Sequence, residues 1–330
     1  MGARLERVLG ALNGLVGDRL VQLGNGLATP IGFATIDDAR PLPVTHAALA
    51  RAHPEPTGRV VILVHGLMDT EHGWHVRGGL DYGTRLGRDT GYLPLWVRYN
   101  SGCAIADSGV ALSQLLDGLL AAYPAPLHEI VLLGHSLGGL VVRAACHTAA
   151  VSRQGGDAAD SERGAWLARV QQAYYLGTPH HGAPLERAGR VVARVLGSLD
   201  DPYARLARDL ADLRSDAVKD LGDADLRHED RARRRGAASL RDPTHPVPLL
   251  ATIRHHLVVG SVSEVTWLSQ LFGDTIVPVG SASAGHVLHS GADPALLPAH
   301  VAYFPGVSHP NLARHEGIYQ RIRQWIGGAP

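Results

Sequence analysis

Short apolar runs alternate with amphipathic segments through most of this chain. Runs typical of buried strands occur at Arg59–His65, Leu93–Tyr99, Ile130–Leu133, Val170–Leu176, His256–Val262 and Val301–Phe304. Apolar residues at helical spacing follow them in Trp74–Thr90, Ala106–Tyr123, Leu137–Ala150 and Ile318–Ile326. Strands that alternate with helices predict a mostly parallel central sheet with helices on both faces, an α/β fold.

Two parts of the chain depart from this alternation. Residues 1–56 hold an apolar stripe from Leu5 to Leu23 and then a Pro-rich segment with little periodicity. The stripe predicts a helix that packs on the core; a membrane-surface or partner-binding helix is the alternative, although its other face is not strongly basic. Residues 184–248 hold two helical segments and an arginine run, Arg231–Arg235. An insertion between strands of such a sheet predicts a cap or lid, so the core comprises residues 57–183 and 249–330.

Composition excludes several functional classes. The 31 basic and 31 acidic residues balance, and the pI of about 7.4 gives no reason to expect nucleic acid or an anionic membrane as partner. Cys103 and Cys146 are too few for a disulfide framework and are expected to be reduced. No apolar stretch of about 18 residues predicts a membrane span, and no signal peptide is recognisable. We expect a cytoplasmic protein, although removal of a signal peptide would leave the same pattern.

A reactive serine is indicated by the segment Gly134-His-Ser-Leu-Gly138, between an apolar strand and an amphipathic helix. This is the G-x-S-x-G pattern of a nucleophile elbow, in which Ser136 occupies a strained turn and the flanking glycines avoid collisions. The turn also directs the N–H of Leu137 toward the group that Ser136 attacks. The strand that ends in His65-Gly66 predicts the N–H of Leu67 as a second oxyanion donor.

A serine hydroxyl needs a histidine base and a carboxylate that orients it. In an elbow fold the chain order is serine, acid, histidine, and Ser136, Asp274 and His309 fit that order, each after a predicted strand. Gly273 permits a tight turn before Asp274, and the apolar residues after it can anchor that turn. Glu264 and Asp293 remain alternatives for the acid.

Other residues are predicted to line the substrate. They follow strands at the carboxyl edge of the sheet, where ligands bind in open α/β folds: His65, Met68, His135, His180 and His181. For His65, a structural role is a more ordinary interpretation than contact with substrate. The adjacent His180 and His181 also raise the question of a metal, but no Cys/His/Asp cluster with ligand spacing surrounds them, and no metal is expected.

Six motifs carry a resemblance to a known family: His65-Gly-Leu, Tyr99-Asn-Ser-Gly, Gly134-His-Ser-Leu-Gly-Gly, Gly177-Thr-Pro-His-His-Gly, Gly273-Asp-Thr-Ile-Val-Pro and Gly306-Val-Ser-His. By these the chain resembles serine esterases and lipases of the α/β-hydrolase superfamily, in particular bacterial hydrolases related to GPI inositol-deacylases. The resemblance implies an α/β-hydrolase fold and hydrolysis of small-molecule or lipid carboxylic esters through an acyl-serine, without a cofactor.

Alternatives to ester hydrolysis stay open. One is a catalytically silent hydrolase fold that serves as a binding module, which would be expected to lose the serine, the histidine or the elbow glycines. Another is an acyltransferase or phospholipase that uses the same triad. The sequence predicts neither the natural ester, nor the oligomeric state, nor whether the protein contacts a lipid surface transiently.

Overall fold

The central sheet has eight strands, in a computed structural model that describes residues 3–76, 78–154, 162–180, 215–223, 226–228, 247–261 and 300–328. The strands are β1 (Gly32–Ala34), β2 (Pro41–Leu42), β3 (Arg59–Val64), β4 (Leu93–Arg98), β5 (Glu129–His135), β6 (Val170–Leu176), β7 (Arg254–Ser261) and β8 (Val301–Pro305). Their order is β2-β1-β4-β3-β5-β6-β7-β8. All pairs from β4 to β8 are parallel, and β1 pairs antiparallel with β2 and β4. The predicted mostly parallel sheet is confirmed.

Helices cover both faces of the sheet. They are α1 (Ala3–Gln22), α2 (His46–Ala52), α3 (Tyr82–Thr90), α4 (Ile105–Ala122), α5 (Leu137–Gln154), α6 (Asp216–Asp223) and α7 (Glu316–Ile326). Alternate residues of β3 face opposite layers: Ile62 belongs to the same apolar cluster as residues of α1, α4 and α5, whereas Leu63 belongs to the cluster that includes residues of α3 and α7. Because both faces are covered, residues 60–64 of this strand are fully buried and form a continuous apolar run.

The helix predicted over Trp74–Thr90 is wrong in its first half. Residues Glu71–Trp74 form a short 3-10 helix, and α3 begins only at Tyr82. Gly78 has a φ of +73°, and the carboxylate of Asp81 accepts hydrogen bonds from the N–H groups of Gly83 and Thr84. A left-handed glycine followed by an N-cap fixes the start of the helix at this point.

The N-terminal stripe does form a helix on the core. Ala11, Leu15 and Leu20 of α1 are buried, while Leu5 and Leu23, which belong to the predicted stripe, are exposed. The helix is broken at Val16, where φ is −136° and ψ is 17°, so one straight stripe cannot face the core throughout. The Pro-rich segment after it forms β1, β2 and α2, none of which the sequence predicted.

The predicted cap lies mostly outside the described residues and remains a prediction. Its described part includes α6, which is linked to two other helices: the hydroxyl of Ser215, just before α6, donates to the carbonyl of Gly14 within α1 (2.7 Å), and the carboxylate of Asp220 accepts from the N–H of Ile105 at the start of α4 (3.1 Å). This last bond caps α4, whose N-cap residue Ala104 has no capping side chain. Of the described helices, α4 alone has the length and composition to cross a membrane, and it packs along α5 in the core.

Candidate active site

Ser136 occupies the turn between β5, which ends at His135, and α5, which begins at Leu137. Its φ is +53°, in the left-handed region that residues other than glycine seldom adopt. The turn is held from both sides, because the N–H of Ser136 donates to the carbonyl of Leu176 (2.8 Å) and its carbonyl accepts from Gly139 (3.0 Å). A strained residue that its surroundings hold firmly in place is typical of functional sites.

The glycines of the elbow are needed for close approach. A Cβ atom on Gly138 would lie 2.4 Å from the carbonyl oxygens of both Val64 and His65, and one on Gly134 would lie 2.6 Å from the backbone of Gly139. These neighbours are main-chain atoms and cannot rotate away. The collisions that the sequence predicted at these two glycines are therefore present, and the elbow helix begins in contact with the end of β3.

His309 lies in the loop after β8 and is bound to the elbow. The ring Nε2 of His135 donates to the carbonyl oxygen of His309 (3.1 Å), and the two imidazole centroids are 5.1 Å apart. His135 also makes an edge contact with Trp74, with ring centroids 6.2 Å apart. His135, the residue before Ser136, is thus hydrogen-bonded to the loop that carries the candidate base His309. The three candidate acids, Asp274, Glu264 and Asp293, lie outside the described residues, so the acid of the triad remains a prediction.

The loop after β3 lies on another side of Ser136. A Cβ atom on Gly66 would be 3.2 Å from Cβ of Ser136, so the peptide that joins Gly66 to Leu67 lies beside the serine. Leu137 is the first residue of α5, and a helix supplies no acceptor for its first N–H groups. Both geometries are consistent with the predicted oxyanion donors, whose function remains a prediction.

No family model matches the chain, and no curated protein matches it. Among solved structures, the mature form of the lipase BlEst2 of Bacillus licheniformis superposes with a TM-score of 0.51 at 17% identity, covering 83% of this chain and 94% of that one. The propeptide form of that lipase gives a TM-score of 0.51 at 14% identity, with coverages of 89% and 54%. The Pyrococcus furiosus esterase Pf2001 superposes with a TM-score of 0.47 at 12% identity, covering 83% of this chain and 84% of that one.

The chain has the α/β-hydrolase fold. Likeness at such low identity concerns architecture alone, and the specific likeness to GPI inositol-deacylases is untested. In this hydrolase fold the candidate serine follows the central strand β5 and the candidate base follows β8, the last strand of the sheet.

The side chain of His65 is enclosed by main-chain groups and by Tyr99. Its Nδ1 lies 2.9 Å from the carbonyl oxygen of Gly66, and its Nε2 lies 3.4 Å from the N–H of Tyr99. The two rings stack with centroids 4.4 Å apart. Burial lowers the pKa of His65, so the ring is neutral near pH 7. These contacts favour the structural interpretation of His65 over direct contact with substrate.

Met68 is buried and has a φ of +62°. Its N–H donates to the hydroxyl of Ser101 (2.9 Å), a residue 33 positions further along the chain. Ser101 was not predicted as a site residue, although it belongs to the Tyr99-Asn-Ser-Gly motif. Only the presence of that motif in the sequence could have indicated it.

His180 is buried against α5, the helix that follows Ser136. Its Nδ1 lies 3.1 Å from a guanidinium nitrogen of Arg143, which also donates to the carbonyl of His180 (3.2 Å) and to that of Val247. Since a guanidinium can only donate, Nδ1 is the acceptor and the proton of a neutral ring is on Nε2. Burial lowers the pKa of Arg143 to about 10. Arg143, which the sequence did not single out, thus joins the two chain ends that flank residues 181–246.

His181 lies outside the described residues. Among the residues that the structure does describe, no group of three or more His, Cys, Asp or Glu side chains is arranged to hold a metal ion.

Proposed function

We propose that this protein hydrolyses carboxylic esters through an acyl intermediate on Ser136. The observation that carries the proposal is the strained Ser136 at the tip of the elbow, with the loop of His309 bound to the adjacent His135. Nucleophile and base residues on neighbouring loops of this fold are the arrangement that acyl transfer requires. The lipase and esterase names of the similar structures support the same class of substrate.

In the proposed reaction, Oγ of Ser136 attacks the ester carbonyl carbon while His309 takes the hydroxyl proton. The carbonyl electrons move to oxygen, where the N–H groups of Leu67 and Leu137 stabilise the negative charge. When the carbonyl re-forms, the carbon–oxygen bond to the alcohol breaks and the alcohol leaves with the proton from His309. Water then repeats the sequence on the acyl-serine and releases the acid. Asp274 is the proposed carboxylate that orients His309 and stabilises its protonated form.

Burial of the reacting groups favours this chemistry. Ser136 is 9% exposed and His309 is 4% exposed, so little water competes for hydrogen bonds with them. Charge–dipole interactions are stronger where water is excluded. The two strands that supply the proposed oxyanion donors are adjacent in the sheet and pair in parallel, which fixes the relative position of the two loops.

The test combines labelling with turnover. The wild type should react covalently with a fluorophosphonate probe at Ser136 and should hydrolyse p-nitrophenyl esters, whereas Ser136→Ala should lose both, with kcat reduced on the order of 10⁶-fold. Ser113→Ala, a buried serine on α4, is the matched control and should keep activity.

Three results would decide between the candidate functions. A folded wild type that neither labels nor hydrolyses any ester would contradict the proposal and favour a binding module. Formation of a new ester when an acceptor alcohol is added, at the expense of free acid, would indicate an acyltransferase. Hydrolysis that persists unchanged in purified Ser136→Ala would exclude Ser136 as the nucleophile.

A further inference from the structure

The N–H of Leu67 shares a rigid peptide unit with the carbonyl of Gly66. In a planar trans peptide the C=O and the following N–H point in opposite directions, and none of the described peptide bonds is cis. A group that holds the carbonyl of Gly66 therefore also fixes the direction of the N–H of Leu67. The ring Nδ1 of His65 lies 2.9 Å from that carbonyl oxygen.

The surroundings of His65 define which ring nitrogen carries the proton. The N–H of Tyr99 points at Nε2 (3.4 Å), which must accept, so Nδ1 carries the hydrogen and donates to Gly66. His65 is only 1% exposed. The hydroxyl of Tyr99 donates to the carbonyl of His65 (3.0 Å), and the stacking of the two rings keeps the imidazole in place.

The next peptide unit is held independently. It joins Leu67 to Met68, and its N–H donates to the hydroxyl of Ser101, which is 1% exposed. Helix α1 covers Met68 from another direction, because a Cβ atom on Gly14 would lie only 2.7 Å from Cα of Met68. The left-handed conformation of Met68 is thus held by a hydrogen bond and by direct backbone packing.

We propose that His65 and Ser101 are positioning residues that hold the peptide units before and after Leu67, so that its N–H faces the oxygen that becomes negative during acyl transfer. The bond from His65 also polarises the peptide and makes its N–H a better donor. Neither side chain touches the substrate in this scheme. The inference rests on the proposed ester hydrolysis, because an oxyanion forms only if that reaction occurs.

The first arm of the test is Ser101→Ala, with Ser113→Ala as control. Both variants remove a buried hydroxyl that accepts a hydrogen bond, from Met68 in one case and from Trp166 (3.2 Å) in the other. Loss of a whole oxyanion donor costs about 10²–10³ in kcat, so partial misalignment in Ser101→Ala should cost about tenfold, with KM within about twofold. The affinity for a trifluoromethyl ketone, which forms an oxyanion on the serine, should fall by the same factor as kcat. Ser113→Ala should change neither quantity.

The second arm compares His65→Phe with His65→Asn. Phenylalanine keeps the stacking on Tyr99 but cannot donate to the carbonyl of Gly66, and it should lower kcat and ketone affinity together. Asparagine places an amide donor near the position of Nδ1 and should recover part of both. The shape of the rate profile against pH should be unchanged, since the base is not altered. If His65→Phe does not fold, the Ser101 arm decides alone.

The outcomes separate this inference from the proposed function. If the wild type is active but Ser101→Ala and a folded His65→Phe keep kcat and ketone affinity like Ser113→Ala, the inference is overturned and ester hydrolysis stands. The inference is also overturned if KM rises while kcat is constant, because the residues would then affect ground-state binding. If the wild type neither labels nor turns over esters, both fail together.

Discussion

A single methyl group at Gly138 should disable the elbow. In Gly138→Ala the new Cβ would start 2.4 Å from the carbonyl oxygens of Val64 and His65. A carbon–oxygen contact normally needs about 3.3 Å or more, so backbone must move by about 1 Å. The segments that would move are the end of β3, which precedes the proposed oxyanion donor Leu67, and the start of α5, which follows Ser136.

The expected magnitudes follow from that displacement. Overpacking a buried site costs about 1–3 kcal/mol of unfolding free energy. A misplacement of about 1 Å in a catalytic arrangement costs about 10²-fold in rate, which corresponds to about 3 kcal/mol of barrier. Gly138→Ala should therefore remain folded but lower kcat by about 10²-fold, and the rate of fluorophosphonate labelling of Ser136 should fall with it.

A matched control is available on α4. A Cβ atom on Gly118 would meet only the side chain of Val44, at an ordinary distance of 3.6 Å. Alanine in a helix interior is favoured over glycine by about 0.5–1 kcal/mol, so Gly118→Ala should be as stable as the wild type or more so, with unchanged kcat. Urea unfolding, ester turnover and probe labelling of the three proteins measure all of these quantities. Wild-type kcat and stability in Gly138→Ala would refute the close approach at the elbow.

Three further predictions follow. Asp274→Asn should lower kcat by about 10⁴-fold with the fold preserved, while Glu264→Gln should cost little; the opposite ranking in steady-state kinetics would move the acid to Glu264. His256 donates a hydrogen bond to the side chain of Gln172 (3.1 Å), and burial lowers the pKa of His256 to about 3. Below about pH 6.5, this histidine therefore gains a proton in the unfolded state but not in the native state. The free energy of unfolding should therefore decrease as the pH is lowered. His256→Phe should make this decrease between pH 7 and pH 5 smaller by about 2 kcal/mol in urea unfolding, and equal decreases in both proteins would contradict this. Arg143→Met should destabilise the protein by about 1–3 kcal/mol in the same assay, because it removes the buried hydrogen bonds that the guanidinium donates to the carbonyls of His180 and Val247, and an unchanged midpoint would show that Arg143 is dispensable for stability.

Local sequence determined the elbow because all its requirements lie within a few residues. Gly134, Ser136 and Gly138 specify a sharp turn by size and conformational freedom, and the apolar runs on either side specify a strand and a helix. The parallel strands were predictable for a similar reason, since burial on both faces leaves continuous apolar runs. The limits of β6, Val170–Leu176, agree with the prediction.

Tertiary structure decided what depends on partners distant in the chain. The bonds from Met68 to Ser101, from Ile105 to Asp220 and from Arg143 to Val247 join residues 33, 115 and 104 positions apart, and no local pattern encodes such pairs.

Local pattern was also insufficient where one segment meets different surroundings along its length. The break of α1 at Val16 and the late start of α3 at Tyr82 are examples, although the Asp81 cap is visible in the sequence. Sequence by itself therefore determined the turn at Ser136 and the order of the parallel strands from β3 to β8, and it named the candidate base. The contacts that hold the peptides beside Ser136 were decided only in the folded chain, because they join loops that follow different strands of the sheet.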